Sequence, residues 1–245
     1  MKVGDRSLNL LARKLEGFVR LDDGDRKYLD EIVRPVRRVL AHTDIIKEGD
    51  APSDVRLILQ GFACRNKVTP DGDRQIMAYL LPGDFCDVHV AILKQMDHSI
   101  TTLSDCDVVE IPIASIEGMT TRPNLARALW WATLVDEATL REWLVNLGTR
   151  DARQKVAHLF CELLVRLRVV GLANGREYKL PITQQDLADT VGLSNVHVNR
   201  VLQGMRADGL IELESKVLTI LDFDALVTIS HFNPNYLHLS ERIRP

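Results

Sequence analysis

The stretch Ile182–Leu202 constrains the fold more than any other part of the chain, because it predicts two short helices joined by a tight turn at Gly192. Thr183 is positioned to cap the first helix, with Asp186 three residues further on as in a capping box, and Ser194 is positioned to cap the second helix. Four apolar residues at helical spacing would form the core that the two helices share: Leu187, Val191, Val198 and Leu202. The second helix would then be exposed on its other faces, and such a helix fits the major groove of DNA.

A plain helical hairpin without DNA binding would have the same pattern, so the neighbouring sequence matters. Residues 210–220 predict a hairpin directly after the second helix, where a winged helix has its wing. Residues 156–167 predict an amphipathic helix upstream, and a loop follows at 171–175. This context favours a winged helix–turn–helix.

The first half of the chain has a different pattern. Residues 7–33 predict two short helices around a turn. Residues 36–111 predict a sandwich-like or barrel-like β domain, because short β-branched runs are separated by turn signals roughly every ten residues. Asp71-Gly72 is one of these signals and predicts a hairpin, since glycine tolerates the positive φ that such turns need.

A long helix is predicted between these two regions, over residues 123–147, with Pro123 at its first position and Gly148 ending it. Apolar residues cover most of its faces, so it must be buried on more than one side. We expect one side to face the β domain and another to face a partner subunit. The three tryptophans of the helix are expected in this dimer packing rather than in a cofactor site: Trp130, Trp131 and Trp143.

Charge and composition exclude several classes of protein. The 245 residues contain 31 Lys and Arg against 34 Asp and Glu, a net charge of −3, which argues against a polyanion-coating protein. Residues 151–245 contain eleven basic and eleven acidic residues, so non-specific DNA affinity should be modest and salt-sensitive. No stretch predicts a membrane span or a signal peptide, and we expect a cytoplasmic protein. The four cysteines show no C-x-x-C spacing that would predict a disulfide framework or structural zinc.

Taken together, these motifs resemble the CRP/FNR superfamily of bacterial transcription regulators. Gly83-Asp84-Phe85 resembles the signature before its ligand cassette, Ile182–Leu202 resembles its helix–turn–helix, and Asp208-Gly209-Leu210-Ile211 resembles the start of its wing. The tract Leu193–Arg200 is similar to a branch common in alphaproteobacteria. The resemblance implies an α+β fold in three parts: a jelly-roll-like β-roll of the cyclic-nucleotide-binding type (1–120), a dimerisation helix (121–149) and a winged helix–turn–helix (150–245).

The resemblance also assigns roles in DNA binding, as a homodimer on a pseudo-palindromic operator. Arg200 matches the arginine that contacts a base edge, although a phosphate contact or an ion pair with Glu212 would also explain it. Asn195 could pair with adenine and Val196 could pack on a thymine methyl group. Further candidates, with capping or surface roles as the alternatives, are His197 and Asn199 on the second helix and Thr183, Gln185 and Ser194 at the helix starts.

The effector pocket departs from the cAMP-binding pattern. Relatives that bind cAMP use a glutamate and an Arg-Ser pair, where this chain has Val88 and His98-Ser99. Valine offers no acceptor to a ribose hydroxyl, and histidine lacks the permanent charge of arginine. We therefore expect weak or no cAMP binding. The candidate pocket comprises Gly83, Asp84, Phe85, Cys86, Val88, His98 and Ser99.

No cofactor, metal site or catalytic residue is predicted. An iron–sulfur cluster is not expected, since no cysteine precedes Cys64. Cys86 is either a redox switch or a small buried residue, and the pair His158 and Cys161 is expected in the core. Haem ligation by one of His42, His89 or His98 has no support in the pattern.

Two functions remain open on the sequence alone. The first is a dimeric transcription regulator whose activity is modulated by an unidentified effector or a redox signal, with RNA polymerase as a further partner that no motif here locates. The second is a cyclic-nucleotide-like small-molecule-binding module whose C-terminal domain mediates protein interaction. Enzyme activity is not expected, because the chain has no nucleophile elbow, Walker loop or zinc-protease helix.

Overall fold

The computed structural model describes residues 3–32 and 35–239, with the backbone alone for residues 3–9. It divides into two compact units, and the division falls after Leu134, inside the longest helix. Each unit has its own core and is described separately below.

The N-terminal unit begins with two helices, α1 (Val3–Glu16) and α2 (Asp23–Glu31). Asp22 caps α2 in a capping box with Asp25, and α1 buries Leu11 and Leu15 against the β domain. The two helices predicted over residues 7–33 are thus confirmed. The predicted end of the second helix at residue 33 lies outside the described residues.

Two antiparallel sheets follow, which confirms the predicted β domain. The strands are β1 (Arg37–Val39), β2 (Asp44–Ile46), β3 (Asp54–Gln60), β4 (Ala63–Val68), β5 (Arg74–Leu80), β6 (Ser99–Thr102) and β7 (Cys106–Pro112). The strand order is β1-β7-β3 in one sheet and β2-β6-β4-β5 in the other. One apolar core draws residues from both sheets and from α1, α2 and the start of the long helix.

The turns in this domain fit their residues. Gly72 has a φ of +90° in the hairpin between β4 and β5, as the Asp71-Gly72 signal predicted. The segment between β5 and β6 contains Gly83 and one short helix, α3 (Val90–Leu93). After β7, α4 (Ile113–Thr120) leads to the long helix.

The long helix, α5, spans Pro123–Thr149 and confirms the predicted start at Pro123. The predicted end, at residue 147 before Gly148, is wrong, because the helix continues for two more residues to Thr149. Gly148 is absent from the glycines with positive φ, and the Thr149 hydroxyl donates to the carbonyl of Val145, as in a continuing helical turn. The helix ends because Asp151 immediately caps the next one, accepting a hydrogen bond from the Gln154 amide.

The tryptophans of α5 correct a second expectation. Trp131 stacks on Phe18, and Trp143 is buried with its indole nitrogen donating to the Glu162 carboxylate. Only Trp130 is exposed and available to a partner subunit. Helical periodicity alone could not separate packing within the chain from packing between chains.

The C-terminal unit is built around the buried helix α6 (Ala152–Val169), which includes His158 and Cys161 in its core as expected. The remaining elements are β8 (Ala173–Asn174), β9 (Glu177–Lys179), α7 (Gln184–Val191), α8 (Asn195–Ala207), β10 (Ile211–Glu214), β11 (Val217–Ile220), α9 (Phe223–Ser230) and a 3₁₀ turn (Pro234–Leu237). The four strands form an antiparallel sheet in the order β10-β11-β9-β8.

Candidate nucleic-acid interface and effector pocket

Helices α7 and α8 form the predicted helix–turn–helix, and their ends are fixed by the predicted caps. Thr183 and Asp186 form a reciprocal capping box. The Thr183 amide nitrogen lies 2.8 Å from Asp186 Oδ2, and the Asp186 amide nitrogen lies 3.0 Å from Thr183 Oγ1. Gly192 ends α7 with a φ of +64°, where glycine avoids the steric cost of a Cβ. The Ser194 hydroxyl accepts from the His197 amide at the start of α8. The turn geometry therefore follows from local sequence.

The two faces of α8 differ in the way the pattern predicted. Val198 and Leu202 are buried, together with Leu187 and Val191 of α7. The opposite face of α8 borders an open groove of about 500 Å³. We call it the α8 groove, and its lining residues are Gln184, Asn195, Val196, Asn199, Arg200 and Gln203.

Side-chain amides tie the start of α7 to α8. Asn195 donates to Gln185 Oε1 at 2.5 Å, and Asn199 donates to Gln184 Oε1 at 3.1 Å. Gln185 in turn donates to Asp189. These hydrogen bonds position the side-chain amides of Gln184, Asn195 and Asn199 along the groove, and each amide has two N–H donors and one oxygen acceptor.

The structure brings four of the eight predicted DNA-binding residues into the groove: Asn195, Val196, Asn199 and Arg200. Val196 is 71% exposed, which is unusual for an apolar side chain in a helix with a buried face. The guanidinium group of Arg200 is exposed and forms no ion pair within the described part of the chain, Glu212 included. The ion-pair alternative for Arg200 therefore has no support.

The other four predicted residues lie at helix starts or beside the groove. Thr183 and Ser194 are exposed but serve as caps, and Gln185 is exposed beside Asn195. His197 is exposed on α8 without lining the groove. Sequence reasoning missed Gln184 because it is the first residue of α7, and only its hydrogen bond to Asn199 places it beside α8.

The predicted effector segment is largely buried. Gly83, Asp84 and Cys86 form backbone hydrogen bonds to β3, and all four residues from Gly83 to Cys86 are buried. Asp84 also forms an ion pair with Lys14. Val88 is half-buried, and the Ser99 hydroxyl accepts from the Glu48 amide at 3.0 Å. Gly83–Cys86 thus act as structural support. His98 is also buried, whereas Val88 and Ser99 are half-buried.

Charged groups surround the buried Cys86. Burial raises the pKa of the Cys86 thiol well above its usual range, and the Asp87 carboxylate adds to the rise. Burial also raises the pKa of Asp87 to about 6, against the opposing hydrogen bonds from Arg56. Arg65 donates to the Cys86 carbonyl. A buried, protonated thiol is a poor nucleophile, which argues against a redox switch at this residue.

His98 forms a histidine–carboxylate contact with Asp97. Its Nδ1 lies 2.6 Å from Asp97 Oδ1. Burial lowers the pKa of His98 below its ordinary value, with the hydrogen bond to Asp97 opposing the shift. The same hydrogen bond lowers the pKa of Asp97. The pair therefore combines a neutral ring with an ionised carboxylate at neutral pH.

The fold defines the class of this protein: an N-terminal β-roll of the cyclic-nucleotide-binding type followed by a winged helix–turn–helix. Residues 36–122 match the model of the cyclic nucleotide-binding domain, and residues 154–229 match that of the Crp-like helix-turn-helix domain. The transcriptional activator protein FnrL of Cereibacter sphaeroides is 31% identical over 202 residues, covering 80% of this chain and 81% of the relative. The chain belongs to the CRP/FNR family of transcription regulators.

A second relative is similar in sequence, and a solved structure is similar in fold. The nitrogen fixation regulation protein FixK of Azorhizobium caulinodans is 27% identical over 202 residues, covering 78% of this chain and 81% of the relative. The structure of FixK2 from Bradyrhizobium japonicum superposes with a TM-score of 0.70 at 22% identity, covering 80% of this chain and 98% of the other. The chain is accordingly a transcription regulator with a helix–turn–helix DNA-binding domain, and not an enzyme. None of its described helices is long and apolar enough to span a membrane.

Proposed function

We propose that this regulator binds a pseudo-palindromic operator as a homodimer and contacts base edges through the α8 groove. The observation that carries the proposal is the groove itself, which places Arg200 beside Asn195, Val196 and Asn199 on one exposed face. Arginine pairs with guanine, asparagine with adenine, and an apolar side chain packs on a thymine methyl group. Gln184 and Gln203 extend the same face.

Thr183, Gln185 and Ser194 are proposed as backbone contacts. They lie at the starts of α7 and α8, where helix N-termini favour phosphate oxygens. His197, exposed in the first turn of α8, is a further candidate of this kind. Contacts of this type fix the register of a protein on DNA without selecting its sequence.

The homodimer is proposed to form along α5. This helix exposes a row of large apolar side chains, whereas its buried side already packs within the chain. At about 100° per residue, the row falls on one side of the helix. Its members are Trp130, Leu134, Leu140 and Leu144. Two copies that meet here would each present one α8 to successive major grooves.

The effector is proposed to be a species other than cAMP. Val88 and His98 stand where cAMP-binding relatives have the ribose and phosphate ligands, and neither side chain can replace them. An iron–sulfur cluster is likewise not proposed. The proposed site of action is the cytoplasm, with RNA polymerase as a partner at the promoter.

The first experiment is selection from random duplex DNA with the purified full chain, without added ligand and under reducing conditions. A pseudo-palindrome should emerge. Arg200→Ala should then weaken binding to that operator by about 1–3 kcal/mol, roughly 5-fold to 150-fold, with a small effect on scrambled DNA. Fluorescence anisotropy measures both affinities.

Arg20→Ala is the matched control, since it removes an exposed arginine outside the DNA-binding domain. It should leave both affinities unchanged. An equal loss on operator and scrambled DNA with Arg200→Ala would instead identify a phosphate contact. Failure to select any sequence, with or without candidate nucleotides, would favour the small-molecule-binding module.

A further inference from the structure

Three side chains with metal-binding chemistry converge in the β-roll: His89, Asp97 and His98. One ring nitrogen of each histidine and a carboxylate oxygen of Asp97 all lie within 4.8 Å of one another. His89 directly precedes α3, and the other two directly precede β6. The chain reverses after α3 at Lys94, which has a φ of +65°, so the cluster is produced by the fold of this segment.

His98 is the buried member of the cluster. His98 is only 8% exposed, and its Nε2 has no hydrogen-bond partner within the described residues. Such a nitrogen would be costly to bury unless a partner fills its place. The ring of His89 lies 5.5 Å away between centroids, inclined by 37°.

The Asp97 carboxylate accepts a hydrogen bond from the other ring nitrogen of His98, Nδ1. With Nδ1 donating to Asp97 Oδ1, Nε2 keeps its lone pair and is the nitrogen that can bind a metal. A carboxylate that fixes a metal-binding histidine in this way is a recurrent feature of such sites. Asp97 itself has a largely exposed side chain, which leaves room for adjustment.

We propose that this cluster binds a divalent transition-metal ion of the zinc class, held by one ring nitrogen each of His89 and His98. Asp97 lies beside the ion, balances its charge and orients His98. Imidazole donors suit Zn²⁺, Co²⁺ and Ni²⁺, whereas Ca²⁺ and Mg²⁺ require sets of oxygen ligands. Zinc–nitrogen bonds of about 2.0–2.1 Å require the ligand atoms to draw closer than 4.8 Å, and exposed Asp97 and half-buried His89 can move.

The site goes beyond the proposed DNA binding and does not depend on it. The sequence alone predicted no metal site. Eight residues separate His89 from His98, and no known ligand spacing connects them. Water or an exogenous ligand would complete the coordination.

The test uses the full chain, treated with a chelator and then dialysed. Co²⁺ is the spectroscopic probe, through its visible ligand-field absorption, and Zn²⁺ is titrated by calorimetry. We expect one equivalent of bound metal ion per chain. Zn²⁺ should also raise the melting temperature, since a ligand that binds only the folded state stabilises it.

The variants separate this cluster from any other site. His89→Gln and His98→Gln should each lower the Zn²⁺ affinity at least 100-fold, and Asp97→Asn about 10-fold to 100-fold. His42→Asn, which removes an exposed histidine of the same unit, should bind as the wild type does; asparagine tolerates the positive φ there. The melting temperature without metal reports whether each variant folds. If His98→Gln does not fold, the Zn²⁺ affinity of His89→Gln decides the test, because His89 is only half-buried.

Absence of stoichiometric binding would overturn the proposal. Binding that survives both histidine substitutions would also overturn it, and a thiolate charge-transfer band with Co²⁺ would then identify cysteine as the ligand. None of these results depends on DNA, so they are distinguishable from a failure of the proposed operator binding.

Discussion

At the scale of single residues, His158 of α6 has the most unusual environment in the C-terminal unit. The ring is fully buried, packs edge-on to Phe232 and lies close to Tyr236. Burial, and then the nearby positive charge of Arg150, lower the pKa of His158 to about 3. The adjacent Glu142 carboxylate could favour a protonated ring, but it is already engaged by Arg150 at 2.7 Å. The folded protein therefore holds His158 neutral.

This neutral histidine predicts a pH-dependent stability. An unfolded chain protonates histidine near pH 6.5. As the pH falls below that value the unfolded state binds more protons than the folded state, so the free energy of unfolding falls until about pH 3. The slope is about 1.4 kcal/mol per pH unit, or about 2 kcal/mol lost by pH 5. His158→Gln should remove this component, as urea unfolding at a series of pH values would measure.

Phe232→Leu is the control for His158. It disturbs the packing around the ring without removing a titratable group, so it should lower stability equally at every pH. If the free energy of unfolding of His158→Gln changed with pH as steeply as that of the wild type, the buried ring would not contribute to the pH dependence.

Predictability from sequence also differs between residues. The caps Thr183 and Ser194 and the exposure of Arg200 followed from helical spacing, because they depend on neighbours within one turn. Gln184 and the cluster of His89 with His98 did not, because they depend on contacts between segments. No pattern along the chain encodes such contacts.

At the scale of elements, the wing hairpin is formed without favourable turn residues. Ser215 and Lys216 join β10 to β11, and both have positive φ, 49° and 61°. Two-residue loops of this kind favour Asn-Gly, because other residues pay a steric cost there. The sequence nevertheless predicted the hairpin over residues 210–220.

This turn offers a stabilising substitution. Ser215→Asn combined with Lys216→Gly should stabilise the protein by about 1–2 kcal/mol, because both residues then tolerate positive φ. Thermal unfolding should show a rise of about 2–4 °C for each kcal/mol. Ser215→Ala with Lys216→Ala shortens the same side chains without relieving the strain, and should show no rise. Equal behaviour of the two double variants would contradict the role of backbone strain.

At the scale of the whole molecule, the proposed dimer depends on the exposed row along α5. Trp130 and Leu144 are each 71% exposed in the single chain, and they belong to a row of exposed apolar side chains along one helix, the kind of patch that marks an interaction site. Between them, Glu137 and Arg141 form an ion pair on the same side of the helix. Sequence periodicity predicted an interface here, but the structure was needed to show which tryptophan is free to join it.

Leu140→Glu with Leu144→Glu should therefore give a folded monomer, because both side chains are exposed and their loss creates no cavity. Sedimentation velocity would measure the mass, and circular dichroism the fold. Leu40→Glu, an equal change at an exposed leucine of the β-roll, should stay dimeric. A double variant that remains dimeric would place the interface elsewhere.

The same variant tests whether dimerisation is what makes operator binding strong. Two linked α8 helices bind a palindrome with an avidity that exceeds half-site binding by about 10²–10⁴-fold. The wild type should therefore prefer the full operator to a half-site by a factor in this range, as anisotropy would measure. The monomeric variant should bind both about equally, because its α8 groove is unchanged and only the linkage is lost. A monomer that kept the full-site preference would show that a single chain contacts the whole operator.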